Sequence, residues 1–445
     1  MLWLPTKQWR RATARLTRRR RGRRLARLLI WNLIIFSFPT ASVLPQNALE
    51  VQIAQATRPY QFDFFNWETE AVTNELGRRM TRLAWGHDQT EESDVVRQFL
   101  QQEQKIAQLQ QKLHKLYATP FFCFPSESGG IEGGCSPTIY EQETILNGLE
   151  RNQTKLIPYV EAILTQQSEA ILHEAGFTLN GQVFPPVAFR LIEPPTFLII
   201  SRRDRIERTQ SLNLLPGLTD SQRTHIEDTL NQRGDISSYV TNIGGLGSYP
   251  TMVVRYGYLP YLADTIIHEW THNYLFMFPT NMAWGYDSYP KLRTINETTA
   301  SLVGQELSRR LIERYYPEWV KDLPPLDKQG QPRPAKPSEY QLTMRRIRQR
   351  VDDLLAAGQI EEAEQFMETE RQQLVKQGQV MRRLNQAYFA FHGAYTLSPA
   401  SVDPTGQQLR QLRAQSPTLK AFLDQVGWLN SEADYNDWLQ HDGVK

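Results

Sequence analysis

The stretch Tyr261-Leu262-Ala263-Asp264-Thr265-Ile266-Ile267-His268-Glu269-Trp270-Thr271-His272-Asn273-Tyr274-Leu275-Phe276 decides how the rest of the chain is read. Its apolar residues recur at helical spacing, and within it His268 and His272 stand four apart with Glu269 between them. On an α-helix, side chains at i and i+4 project from one face, one turn above the other. Both imidazoles can then reach one Zn²⁺, while the intervening carboxylate points at a metal-bound water. A chain with 8 His and 48 Asp+Glu among 445 residues is expected to contain fewer than about 0.02 such HExxH matches on composition alone.

Working outward, the segment before this helix has the texture of short strands. Residues 182–191 and 196–201 are rich in Val, Phe, Leu and Ile and are separated by Glu193-Pro194-Pro195; residues 237–243 and 248–254 follow a helix at about 220–232. A small sheet therefore precedes the motif helix. Gly244, Gly245 and Gly247 fit either a plain hairpin turn or a strand that an extended peptide approaches closely.

A catalytic zinc takes three protein ligands and leaves the fourth position for water. On the next predicted helix, in Thr294-Ile295-Asn296-Glu297-Thr298-Thr299-Ala300-Ser301, Glu297 is the candidate third ligand; Glu306 lies nearly three turns further along and is expected to point past the site. His268-Glu269-x-x-His272 followed by Asn296-Glu297-x-x-Ala300 resembles the gluzincin metallopeptidases, aminopeptidase-type members above all. The resemblance implies His268, His272 and Glu297 as zinc ligands and Glu269 as general base, over about residues 261–306. Two departures go with it. The 24 residues between His272 and Glu297 are more than the commonest aminopeptidases of that class have, and Ser301 stands where a thermolysin-like NExxxD would have an acid behind the first histidine. Thr271, Asp264 or a backbone carbonyl are the remaining candidates for orienting the imidazoles.

Toward the N-terminus, residues 59–175 read as a helical region. Phe99, Ile106 and Leu113 repeat every seven residues with Leu109 and Leu116 interleaved, an a/d seam expected to pack on the helix at about 139–175, whose Pro158 predicts a kink. Between them lie Cys123 and Cys135, the only two cysteines, expected to close a disulfide loop in an oxidising compartment. Residues 1–48 differ from all of this. Lys7 and ten arginines up to Arg27 precede an apolar run at 28–38, and the first acid is Glu50. Of the 50 bases, the 39 beyond this run face all 48 acids, so the remainder carries a net charge of −9. A basic segment followed at once by an apolar stem reads as a signal peptide or signal anchor with the body outside the cytoplasm, in a periplasm or cell envelope, and not as a nucleic-acid arm.

Downstream, residues 321–337 read as a proline-rich linker and 338–445 as a C-terminal helical region, with helices near 338–357, 361–376 and 379–395. The last of these groups Asn385, Tyr388, His392 and Tyr395 on one face, and gluzincin-like aminopeptidases bring a Tyr or His from a comparable region to the oxyanion. The expected fold class is thus α+β and predominantly helical, with a zincin-like core at 176–320. The expected function is a membrane-associated zinc metallopeptidase acting on a peptide or protein substrate, with Glu269 as base and Tyr388, His392 or Tyr395 at the oxyanion. Two alternatives stand beside it: a membrane-tethered helical scaffold with a structural or vestigial metal site, and an envelope amidase cutting a non-peptide amide.

Overall fold

The computed structural model describes residues 48–82, 89–118, 137–286, 288–328, 330–333, 336–393 and 403–441. The basic run, the apolar stem, Cys123, Cys135 and Tyr395 lie outside the described residues. Two units are distinguished, Met1–Gln55 and Ala56–Lys445; in the first, residues 48–55 belong to the start of helix α1 (Ala48–Thr57). Among the described residues, no helix is long and apolar enough to cross a membrane.

The second unit is α+β and mostly helical. Helices α2 (Phe64–Arg82), α3 (Gln89–Ala118) and α4 (Pro137–Glu174) lead into β1 (Thr178–Leu179), β2 (Gln182–Val183), β3 (Phe189–Leu191), β4 (Thr196–Arg202) and β5 (Arg208–Leu214). Next come α5 (Asp220–Asn231), β6 (Ile236–Thr241), β7 (Gly245–Leu246) and β8 (Thr251–Val253). The motif helix is α6 (Leu259–Leu275), followed by the single turn α7 (Asn281–Trp284) and the long helix α8 (Pro290–Tyr315). Helices α9 (Glu339–Ala356), α10 (Ile360–Lys376), α11 (Gln386–His392), α12 (Thr405–Gln415), α13 (Leu419–Gly427) and α14 (Glu432–His441) complete it.

The heptad seam packs as its spacing predicts. Phe99, Ile106 and Leu113 are buried, and α3 runs antiparallel to α4: Gln153 Nε2 donates to Phe99 O at 3.1 Å and Lys112 Nζ to Gln142 Oε1 at 3.1 Å. Helix α4 continues through Pro158 as one element, and Ile145, periodic with the core residues, is 44 % exposed because it lies beyond the buried half of the helix. The seam's other neighbours show that 59–175 is not a separate core. Val96, Phe99, Val160 and Leu164 share one cluster with Leu259, Ile266, Leu307 and Leu423. Arg190 of β3 is buried between Glu75 of α2 at 2.8 Å and Glu161 of α4 at 3.5 Å, so three elements compensate one desolvated charge.

Among the described residues there are three small sheets. Asn180 and Gly181, both at positive φ, form the two-residue turn that joins β1 to β2. Strands β5, β4 and β6 form an antiparallel sheet in that order, and β3, β8 and β7 form a mixed one in which β3 and β8 are parallel. The expected single strand over 182–191 is two, β2 and β3, because Pro185-Pro186 removes two ladder donors between them. Strand β5 was not expected. Of its residues only Leu214 is buried, so it carries no apolar alternation. Its outer edge is covered by residues 60–62, with Leu215 N donating to Tyr60 O at 2.7 Å.

The C-terminal helices divide between two partners. Met344, Ile347, Met367, Leu374, Tyr388 and Phe389 form a second cluster, and α11 lies on β4 with Ala387 and Phe391 against Ile199. Leu409, Leu412, Phe422 and Trp438 instead join the main core around α6 and α8. Capping explains where these helices start: Ser338 and Gln341 form a capping box on α9, Thr418 caps α13, and Thr219 with Gln222 does the same for α5.

Candidate metal centre

Helix α6 starts at Leu259-Pro260, where a proline costs no hydrogen bond. Its apolar face is fixed by Trp270, whose ring meets Phe177 at 5.2 Å and whose Nε1 donates to Pro185 O at 2.8 Å. With Trp270 committed to the core, His268 and His272 must face the opposite way, toward α8. The two helices run antiparallel in a ladder of polar contacts: His272 against Asn296, His268 against Ser301, and Asp264 against Gly304. Gly304 is required at that crossing, since a Cβ there would lie 2.5 Å from Asp264 Oδ1 and 3.1 Å from its carbonyl oxygen.

This ladder brings Glu297 onto the histidine pair. His268 Nε2 and His272 Nε2 are 3.1 Å apart, and Glu297 Oε2 lies 3.4 Å from the first and 3.6 Å from the second. Three donors held at 2.0–2.1 Å from a tetrahedral zinc stand about 3.3 Å from one another. The triangle therefore has the dimensions of three donors around one tetrahedral ion, and these three residues could hold a metal ion. Glu297 Oε2 is buried with no hydrogen-bond partner. Such an atom is costly unless something else compensates it, and a cation at the centre of the triangle would.

The remaining atoms of each ligand are held in place. Asn296 Nδ2 donates to Met282 O at 3.0 Å, which turns Asn296 Oδ1 toward His272 Nδ1, 2.7 Å away. The His272 proton then sits on Nδ1 and leaves Nε2 as the ligand atom. Ser301 Oγ donates to Glu297 O at 2.9 Å and lies 3.4 Å from His268 Nδ1, so the serine occupies the place of the missing acid as acceptor. Tyr286 donates its hydroxyl to Glu297 Oε1. Burial pushes the Glu297 carboxyl up, but His272, His268 and the Tyr286 hydroxyl outweigh it and bring the group down to about 2. Thr271 takes no part, because its hydroxyl donates to Ile267 O at 2.8 Å. Asp264 is pushed up to about 6 by burial, and Glu306 is turned away to Arg413 at 2.9 Å.

Glu269 is covered by β7. A Cβ on Gly245 would lie 2.8 Å from Glu269 Cδ, and one on Gly247 would lie 3.3 Å from His272 Cβ. Neither glycine has a positive φ. Their lack of a side chain admits the edge strand to Glu269 and His272, a reason distinct from a turn or from approach by a peptide. Burial raises the Glu269 carboxyl to about 7, with smaller opposing effects from His272, which lowers it, and Glu297, which raises it.

The aromatic face of α11 lies elsewhere. Asn385 is not on that face but caps the helix, accepting from Tyr388 N at 2.9 Å. Tyr388 packs against Tyr239 at 5.3 Å and belongs to the second cluster. His392 stacks on Tyr388 at 4.3 Å, and burial pulls its imidazole down to about 4. The described link from this helix to the metal group is indirect: Phe391 meets Phe197 at 6.0 Å, and the Arg208 guanidinium lies 6.0 Å from the Phe197 ring and 5.5 Å from that of Tyr286. Tyr286 itself escaped the sequence reading; the only signal was an aromatic residue in the loop between the two motif helices. Tyr286→Phe is expected to weaken any metal binding at this group by about 10–100-fold, because it deletes the donor that orients the Glu297 carboxylate, and competition with a chromogenic chelator measures it.

No protein-family model matches the chain, and neither a curated protein nor a solved structure matches it.

Proposed function

We propose that this chain is a zinc metallopeptidase of gluzincin type, built on a zincin-like core. The observation that carries the reading is the triangle of His268, His272 and Glu297 with a buried fourth group, Glu269, beside it. Two imidazoles and one carboxylate form a donor set that suits zinc. Among the described residues the group has three donors; a structural zinc site is filled by four protein ligands, whereas three leave a position for water, which supports a catalytic centre over a scaffold. When bound, zinc supplies a Lewis acid that makes its water acidic near neutral pH.

The residues divide the remaining work. His268 and His272 present Nε2 because Ser301 and Asn296 occupy their Nδ1 positions. Glu269 accepts the proton of the attacking water and returns it to the leaving amine. Its burial under Gly245 disfavours the charged carboxylate, which makes it a stronger base than an exposed glutamate. In the sequence, the arginine run and apolar stem support attachment to a membrane with the body outside the cytoplasm. Peptide-library digestion by the purified chain, with and without a chelator, tests the proposal. Chelator-sensitive cleavage is expected; cleavage that persists without metal, or its complete absence in the zinc-loaded chain, refutes it.

Gly245→Ala probes the geometry specifically. The added methyl displaces Glu269 while the helices and ligands are retained, so kcat is expected to fall by about 10²-fold with zinc content unchanged. Steady-state kinetics and metal analysis on the same preparation check both halves.

A further inference from the structure

The turn of chain that leaves the motif helix carries an apolar surface that metal chemistry does not use. Met277 is 45 % exposed, Trp284 52 % and Trp428 62 %, and Phe276 and Phe278 are half-buried between them. The aromatic residues fall in two pairs whose phenylalanines flank Met277 in the chain. Phe276 packs on Trp284 at 5.0 Å, and Phe278 meets Trp428 edge-on at 5.3 Å.

The backbone beneath the patch is fixed. Thr280 Oγ1 donates to Gly427 O at 2.7 Å, Asn281 Nδ2 to Asn430 O at 3.0 Å, and Met282 N to Leu429 O at 3.3 Å. A Cβ on Gly427 would lie 2.6 Å from the Phe278 ring, so glycine is what lets the two loops close. These bonds tie the two loops together, and the exposed large apolar side chains they carry are Met277, Trp284 and Trp428. Of the nearby charges, Lys420 and Asp424 pair at 2.5 Å, and Asp434 accepts from Asn430 N at 2.8 Å and Ser431 N at 3.0 Å.

We propose that this patch, Phe276 to Phe278 with Trp284 and Trp428, is a docking face for a lipid bilayer. Tryptophan rings combine an apolar body with one N–H donor and favour the membrane–water interface. The sequence also shows why a small patch suffices. Only 17 residues separate Phe38, the end of the apolar stem, from Ala56, the start of the second unit. With eight of them in helix α1, they reach at most about 43 Å, so a stem held in a bilayer keeps the patch at a high effective concentration against the same surface. The inference rests on that reading of the stem and is independent of the metallopeptidase reading. It has a consequence for the latter: Phe276 follows His272 by about one helical turn, roughly 6 Å along the axis, so a docked patch holds the metal centre at the membrane surface.

The test uses the full chain reconstituted in phosphatidylcholine vesicles whose acyl chains are brominated, a quencher of tryptophan fluorescence, and compares it with the double variant Trp284→Phe, Trp428→Phe. Phenylalanine keeps the apolar packing, and a circular dichroism melt verifies the fold. Wild-type fluorescence is expected to be quenched, with about half of the quenching lost in the variant and the remainder due to the N-terminal tryptophans. Equal quenching in the two proteins, failure of the chain to float with the vesicles, or shielding of Met277 from oxidation that rises with protein concentration in the absence of lipid would each overturn the proposal; the last would assign the patch to a second copy. None of these readouts needs metal or turnover.

Discussion

Exchanging Glu269 for glutamine is expected to lower kcat by about 10²–10⁴-fold, the range that a positioned general base contributes, while zinc stays bound. The side chain is the right one to test because it is not a ligand. It follows His268 on the motif helix, and its carboxylate oxygen is the first atom a Cβ on Gly245 would meet. Glutamine fills the same volume under β7, so the strand has no reason to move. It differs only in having no basic oxygen with which to take a proton. Burial has already moved the carboxyl to about 7; a bound cation would favour its ionised form and lower that value. The measurement is kcat against metal content, and a variant that keeps zinc together with full activity removes Glu269 from the mechanism.

The second large effect is expected from Glu297→Gln. On the proposed reading, zinc at about 1,000 times its dissociation constant is expected to stabilise the wild-type fold by about 4 kcal/mol, the linkage for a ligand that binds the folded state alone. The amide is nearly isosteric with the carboxylate and can still accept from Tyr286. It carries no charge, however, and leaves only two strong donors in the triangle. The rise in melting temperature on adding zinc should therefore nearly vanish in the variant, and hydrolysis with it. Scanning calorimetry of both proteins, stripped and reloaded, reads the difference. An undiminished zinc-dependent shift would place the metal elsewhere.

The candidate metal group was readable in the sequence because its spacing is a local property: four residues on one helix align His268 with His272, and Asn296-Glu297 lies near the start of the next long helix. The α3 seam was readable for the same reason, a period of seven. What escaped was set by long-range packing. Nothing local distinguishes Ser301 or Asn296 as partners of imidazoles until α6 and α8 lie antiparallel. Tyr286 reaches Glu297 only because the loop between those helices folds back. Strand β5 lacks apolar alternation because it is half exposed and its edge is covered by residues 60–62. Helix α11 was correctly seen to gather Tyr388 and His392 on one face, but the sequence contains no signal that this face packs against Tyr239 and the β4 sheet. Asn385 shows the limit most plainly, since the residue counted as part of a face is the cap that starts the helix.

Whether His268, His272 and Glu297 hold one zinc ion is tested most directly by X-ray absorption at the zinc edge on the purified, zinc-loaded chain. Nitrogen and oxygen neighbours at about 2.0–2.1 Å, with outer-shell scattering from imidazole rings, are expected for such a site. His272→Ala should reduce that imidazole scattering or release the metal. A chain that retains no zinc, or a spectrum identical in wild type and His272→Ala, would contradict a zinc ion at these residues.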